Sequence, residues 1–291
     1  MKRMLLVILA LLFSTAVLSA EPWERSLDLT LNLTQSNYSD SWTGGEAGNV
    51  TWVARADGIF EKQLKPKFNY RLSLKLAFGQ THVQNQETNQ WEEPEKSTDK
   101  IDIENLGRFT LNGYVDPYVA FRFESQFVDA SVESIKRYFN PMLLTESAGI
   151  SKELYKSEEN ELLSRLGFAL KERITSIIVD TVGDERDWET EIDGGFESVT
   201  DLKYTISDNL LYIGKLSLYK AMFYSDKEDV EGTPAEDYWK AIDVNFESTF
   251  SAEVARYISV SLYFQLLYDK QIDKRGRFKE TLALGITYKL F

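Results

Sequence analysis

The sequence predicts an all-β fold, a single closed barrel of twelve antiparallel strands with its apolar face turned outward. Three observations predict it. Strict apolar/polar alternation recurs twelve times along the chain. The alternating runs are about 11–14 residues long, against the usual 5–6 of soluble strands, which suits a tilted membrane-crossing strand. Short turns and long connectors also follow one another in regular order, and an even strand number is what single-chain membrane barrels carry.

The runs lie at 26–35, 49–61, 67–79, 100–113, 117–128, 144–154, 161–172, 194–206, 209–222, 240–251, 256–269 and 278–290. In the first, Leu27, Leu29, Leu31 and Leu33 alternate with Asp28, Thr30 and Asn32. In the second, Val50, Trp52, Ala54 and Ala56 alternate with Thr51, Val53, Arg55 and Asp57. The third is the clearest: Phe68, Tyr70, Leu72, Leu74, Leu76 and Phe78 share one face, with Asn69, Arg71, Ser73 and Lys75 on the other. In the fifth, Val119, Phe121 and Phe123 alternate with Arg122, Glu124 and Gln126. The sixth, 144–154, is the weakest. The eleventh places Ile258, Val260, Leu262, Phe264 and Leu266 together, and the twelfth Leu282, Leu284, Ile286, Tyr288 and Leu290.

Turn chemistry separates alternate runs: Gln63 to Pro66, Val115-Asp116-Pro117, Ser157 to Asn160, Ser207-Asp208 and Ala252-Glu253. The longer connectors are 36–48, 80–99, 129–143, 173–193 and 223–239, with a shorter one at 270–277. A soluble sandwich would alternate equally well. Run length, connector order and aromatics near the run ends (Trp52, Phe60, Tyr204, Tyr257, Tyr288) favour the membrane barrel. Closure also pairs every backbone group, as hydrocarbon demands.

Residues 1–20 are read as a cleaved signal peptide and 21–291 as one barrel domain. Lys2 and Arg3 precede an apolar run to about Leu18, then Ser19-Ala20 and the polar Glu21. Losing Lys2 and Arg3 takes the net charge from −13 to −15. That balance argues against a nucleic-acid partner, which needs a basic footprint. The absence of Cys excludes disulfides, thiolate metal sites and cysteine nucleophiles.

Three stretches carry a family likeness. They are Leu33-Thr34-Gln35-Ser36 with Tyr38, Trp42, Gly44 and Gly45; Phe123 to Phe127 followed by Phe139-Asn140-Pro141; and the terminal Tyr288-Lys289-Leu290-Phe291. They resemble the outer-membrane barrel family known as domain of unknown function 3078, with one extra residue after the final lysine. The resemblance implies an outer-membrane location and no established activity, so it transfers no catalytic residue. The expected partners are outer-membrane lipid and, through the C-terminal strand ending on Phe291, the barrel-insertion machinery.

On these faces the lumen receives equal numbers of acids and bases, so the excess acid lies in the loops. The candidate lining residues are Arg55, Arg71, Lys75, Arg108, Arg122 and Arg165 on one arc, Glu124 beside them, and Glu197, Asp201, Asp243 and Glu247 on another. Two outcomes stay open. The charges pair and fill the interior, or opposed arcs set a transverse field across a narrow, porin-like pore. The leading expectation is a passive channel or transport barrel for small polar or charged solutes. The alternative is a plugged structural or adhesion barrel acting through its loops.

Those loops carry acidic clusters, at Glu87 to Asp99, Asp180 to Asp193 and Asp226 to Asp237, without a calcium-loop spacing. Trp42, Trp91, Trp188 and Trp239 lie in or beside them. The third connector suggests a short helix, since Val132, Ile135, Tyr138 and Phe139 have helical spacing before Pro141. The enzyme hypothesis rests on His82 alone, placed at the start of a long loop with no G-x-S-x-G nearby, so no enzyme, cofactor or metal is expected.

Overall fold

The computed structural model of the 291-residue chain describes residues 22–38, 47–85, 87–111, 113–132, 135–180 and 185–290. The predicted signal peptide, the family-motif residues Trp42, Gly44, Gly45 and Phe291, and the loop residue Asp184 lie outside the described residues.

Twelve strands close the barrel: β1 (Glu24–Ser36), β2 (Asn49–Lys65), β3 (Phe68–Val83), β4 (Glu95–Arg108), β5 (Asp116–Ser125), β8 (Met142–Lys156), β9 (Glu161–Asp180), β10 (Glu185–Ser207), β11 (Leu210–Tyr224), β12 (Ile242–Ala255), β13 (Ile258–Tyr268) and β14 (Arg277–Lys289). β6 (Val128–Val132) and β7 (Ile135–Tyr138) form a separate hairpin. Around the ring the order is β1, β14, β13, β12, β11, β10, β9, β8, β5, β4, β3, β2, with every neighbouring pair antiparallel. All twelve predicted runs are barrel strands, the weak sixth included, as β8.

The structure differs from the sequence reading most at three places, each for a local reason. The fourth strand is 95–108 rather than 100–113. The Asp116 carboxylate accepts the Leu111 N–H at 2.9 Å and holds the chain after Arg108 in a turn. The connector 173–193 is mostly strand, because β9 and β10 continue together as a ribbon paired out to Asp180 and Glu185. The predicted helix in the third connector is instead the β6–β7 hairpin. Asp99 accepts the N–H groups of Phe127 and Val128 at 2.6 and 2.9 Å, and Arg137 pairs with Asp129 at 2.6 Å across the two strands. These bonds hold the segment extended, where four apolar residues at helical spacing supply no competing hydrogen bonds.

The exterior is apolar. Leu282 is 72% exposed and Leu284 60%, with Leu166, Phe168, Phe196 and Ile286 exposed beside their neighbours. Aromatic pairs cross adjacent strands on this face, Phe168 with Phe196 at 6.1 Å and Phe246 with Phe264 at 5.6 Å between ring centroids. Among the described residues no helix is long and apolar enough to cross a membrane. The interior is largely polar, with one small cluster of Leu106, Tyr118 and Leu163 and another of Ala169, Tyr219 and Ala221. Tyr118 fits there because Gly167 on β9 leaves room. A Cβ at 167 would lie 2.6 Å from the Tyr118 hydroxyl and closer still to the Ala148 carbonyl oxygen.

Candidate solute site in the barrel lumen

The alternation that turns Leu72 and Phe78 outward sends Arg71 and Lys75 inward. The same rule delivers charges to the lumen from β2, β4, β5, β9, β11 and β12. They do not stay on separate walls. Arg71 bonds Glu61 on neighbouring β2 at 2.8 Å and Glu161 on β9 at 2.5 Å. Arg108 joins Glu61 at 3.1 Å and Glu153 on β8 at 2.6 Å. Arg165 on β9 reaches Glu104 on β4 at 2.6 Å and Asp201 at 3.3 Å. Lys215 on β11 reaches the same Glu104 at 2.8 Å. Lys75 and Lys100, from β3 and β4, both hold Glu247 on β12, at 3.1 and 2.8 Å. Arg122 grips Asp102 with two parallel bonds of 2.9 Å and pairs with Glu124 at 2.9 Å. Arg55 lies 5.6 Å from the ring centre of Tyr263. The result is an ion-paired layer that bridges the lumen.

Sequence parity located most of this layer and missed part of it. Lys100, which shares its face with Asp102, stood at the edge of its run. Glu161 opens its run and Glu153 is the penultimate residue of the weakest one. Lys156, which approaches Glu153 at 3.6 Å, follows a register shift between Glu153 and Tyr155 that breaks the alternation. No sequence signal marks that bulge.

Outside this layer lies a chamber of about 610 Å³. Its walls include Lys171 and Arg173 of β9, Glu191, Asp193 and Glu197 of β10, Tyr219 and Tyr224 of β11, and Asp243 of β12. Tyr238 and Trp239, from the loop after β11, also line it. Trp239 stacks on Tyr224, 6.5 Å between centroids at 29°. The Lys171 ammonium sits 3.4 Å over the Tyr219 ring and 3.7 Å from Asp243. Tyr219 donates a short hydrogen bond to Asp193. Below the chamber, Arg122 and Glu197 also border a void of about 10 Å³ shared with Glu104, Arg165 and Lys215. That is room for about one water between chamber and layer. Of the predicted lining residues, Arg122, Glu124, Glu197 and Asp243 face the chamber, while Arg71, Lys75, Arg108, Arg165, Asp201 and Glu247 belong to the bridging layer.

Towards the other end of the lumen two apolar side chains are exposed. Ile59 and Ile213 sit on the lumen face, one alternation from Asp57 and Lys215 towards the short-turn end of their strands. Each is 41% exposed. Small polar residues, Thr30, Ser259, Ser261 and Thr287, line the neighbouring sector.

Two sites beyond the barrel strands carry perturbed carboxyls. Burial would raise Asp129, but hydrogen bonds from Asn140 and Ser131 and the charge of Arg137 outweigh it and lower its pKa. On the rim, hydrogen bonds from Arg275 hold Asp273 down to about 2. His82, expected at the start of a loop, is the penultimate residue of β3 and shares the outward face of Phe78.

Residues 33–130 match the family model described as protein of unknown function, DUF3078. The match spans about a third of the chain, from the opening strand to the start of the β6–β7 hairpin. The motifs at Phe139 to Pro141 and at the C terminus lie beyond it. No curated protein matches the sequence. Among solved structures, the chain is similar to an outer-membrane channel from Pseudomonas putida F1, with 11% identity and a TM-score of 0.42 over 95% of this chain and 97% of that one. It is also similar to the translocator domain of the autotransporter NalP from Neisseria meningitidis, at 9% identity and a TM-score of 0.39 over 99% and 94%. Salmonella typhi OmpF, solved with daunomycin, matches at 10% identity and a TM-score of 0.30 over 92% and 97%.

Proposed function

We propose that this outer-membrane barrel receives small polar or charged solutes from outside in the chamber, and passes them inward when the ion-paired layer parts. The observation that carries this reading is the chamber itself, standing directly on that layer. Its volume lies within the roughly 300–1,000 Å³ of small-molecule sites. Carboxylates outnumber cations along its wall, and Tyr and Trp rings lie among them, a combination that favours a solute bearing positive charge. The exposed lumen beyond Ile59 and Ile213 supplies an exit. In this reading residues 1–20 direct export and are removed, and the short-turn end faces the periplasm.

Single-channel recording in a planar bilayer tests it. The wild-type barrel should stay closed or flicker. A variant carrying Lys75→Ser, Lys100→Ser and Glu247→Ser should give stable steps. Wide steady steps from the wild type would show that the layer is no barrier. Silence from the triple variant, folded by heat-dependent gel mobility, would favour the plugged structural barrel and end the transport reading.

A further inference from the structure

The barrel is not closed evenly. β1 and β14 pair from Asp28↔Lys289 to Asn32↔Gly285, and Leu290 adds a bond to Leu27 at 2.9 Å. There the ladder stops, although both strands run on. Among the described residues, β1 continues through Leu33–Ser36 paired with β2 alone, and β14 through Arg277–Leu284 paired with β13 alone. At the other seams pairing reaches to within a residue of the end of at least one strand. The seam parts at Gly285, where the Asn32 side chain occupies the space a Cβ would need.

Backbone left unpaired at membrane depth is tolerated only where it lines a wet or polar space. The register sum that pairs Thr30 with Thr287 would have placed Thr34 opposite Ala283 on the lumen face, both small. On the membrane face the same gap is flanked by Leu33, Leu282 and Leu284, all exposed and apolar. One slot therefore offers hydrogen-bonding backbone and small residues on its inner side, and hydrocarbon-compatible side chains on its outer side.

We propose that the wall between β1 and β14 is a lateral portal, through which a single-chain amphiphile moves between lumen and membrane with its polar end inside. This side route is independent of the ion-paired layer.

The chain has no cysteine, so introduced pairs report cleanly. Thr34→Cys with Ala283→Cys probes the slot. Thr30→Cys with Thr287→Cys is the control in the same seam, where the two hydroxyls are 3.1 Å apart. In proteoliposomes under mild oxidation the control pair should cross-link nearly to completion and the slot pair should not. Equal cross-linking would show a closed wall and overturn the portal. A fluorophore on Ala283→Cys should also be quenched several-fold more by a nitroxide-labelled fatty acid than the same label on Thr30→Cys. Equal quenching at the two positions would mean that no chain enters, and would overturn the proposal even with an open seam.

Discussion

Lys100 and Glu247 stand six strands apart in a ring of twelve, on opposite walls, and their side chains meet at 2.8 Å. A twelve-stranded barrel falls between those that side chains fill and those that hold a wide channel. Here long charged side chains from facing strands span the lumen, and Lys75 adds a second cation to the same carboxylate.

Charge reversal at this contact should act as a switch. Lys100→Glu sets a second carboxylate against Glu247 and should raise channel open probability, with cations favoured in a salt gradient. The swapped variant Lys100→Glu/Glu247→Lys should close again. A single variant as silent as the wild type would mean that the contact does not gate passage.

The Arg165–Glu104–Lys215 group is more deeply buried, with Arg165 only 2% exposed. Glu104→Gln leaves two cations without their shared partner and should cost about 3–5 kcal/mol of stability. Replacing the group together, as Glu104→Leu/Arg165→Met/Lys215→Met, should recover most of it. Urea midpoints followed by gel mobility measure both.

Gly167 should tolerate little. Gly167→Val drives a side chain against the Tyr118 hydroxyl and the Ala148 carbonyl oxygen, an overpacking that costs about 1–3 kcal/mol or more. Lowered refolding yield would follow. Pairing it with Tyr118→Ala should restore part of the yield by freeing the hydroxyl's space.

The β6–β7 hairpin should loosen in acid. Asp129 has a folded pKa below its unfolded value of about 3.9, so its contribution is present above that value and is lost as pH falls through the folded pKa. Its partner Asn140 donates to it at 2.7 Å and accepts the Ser176 N–H at 2.6 Å. Asp129→Asn should mimic the acid state at neutral pH and speed tryptic cleavage at Lys136. An unchanged cleavage rate would separate Asp129 from hairpin docking.

Strand number, strand order and the inward face were legible because alternation needs only local sequence. Arg71 and Lys75 point inward for the same reason that Leu72 and Leu74 do not. What the sequence could not carry was distance across the lumen. Nothing in the neighbourhood of Glu247 names Lys100, because their meeting depends on barrel diameter and stagger. The hairpin was hidden for a related reason: Asp99, which holds its entry, lies on another strand. The parting of β1 from β14 involves the two ends of the chain and leaves no local trace.

The tall side of the ring has a mechanical consequence. β8 last pairs with β9 at Ile174, and β11 last pairs with β10 at Asp193, so the ribbon beyond them rises about 20 Å without a flanking strand. A two-stranded ribbon is barely stable alone. Asn140 and Arg137 bond the free N–H and C=O of Ser176 and act as stays on the β9 side. On the β10 side Ser225 bonds both backbone groups of Ile192, so a sideways load at the tip of this mast converges on two residues, Ser176 on one flank and Ile192 on the other.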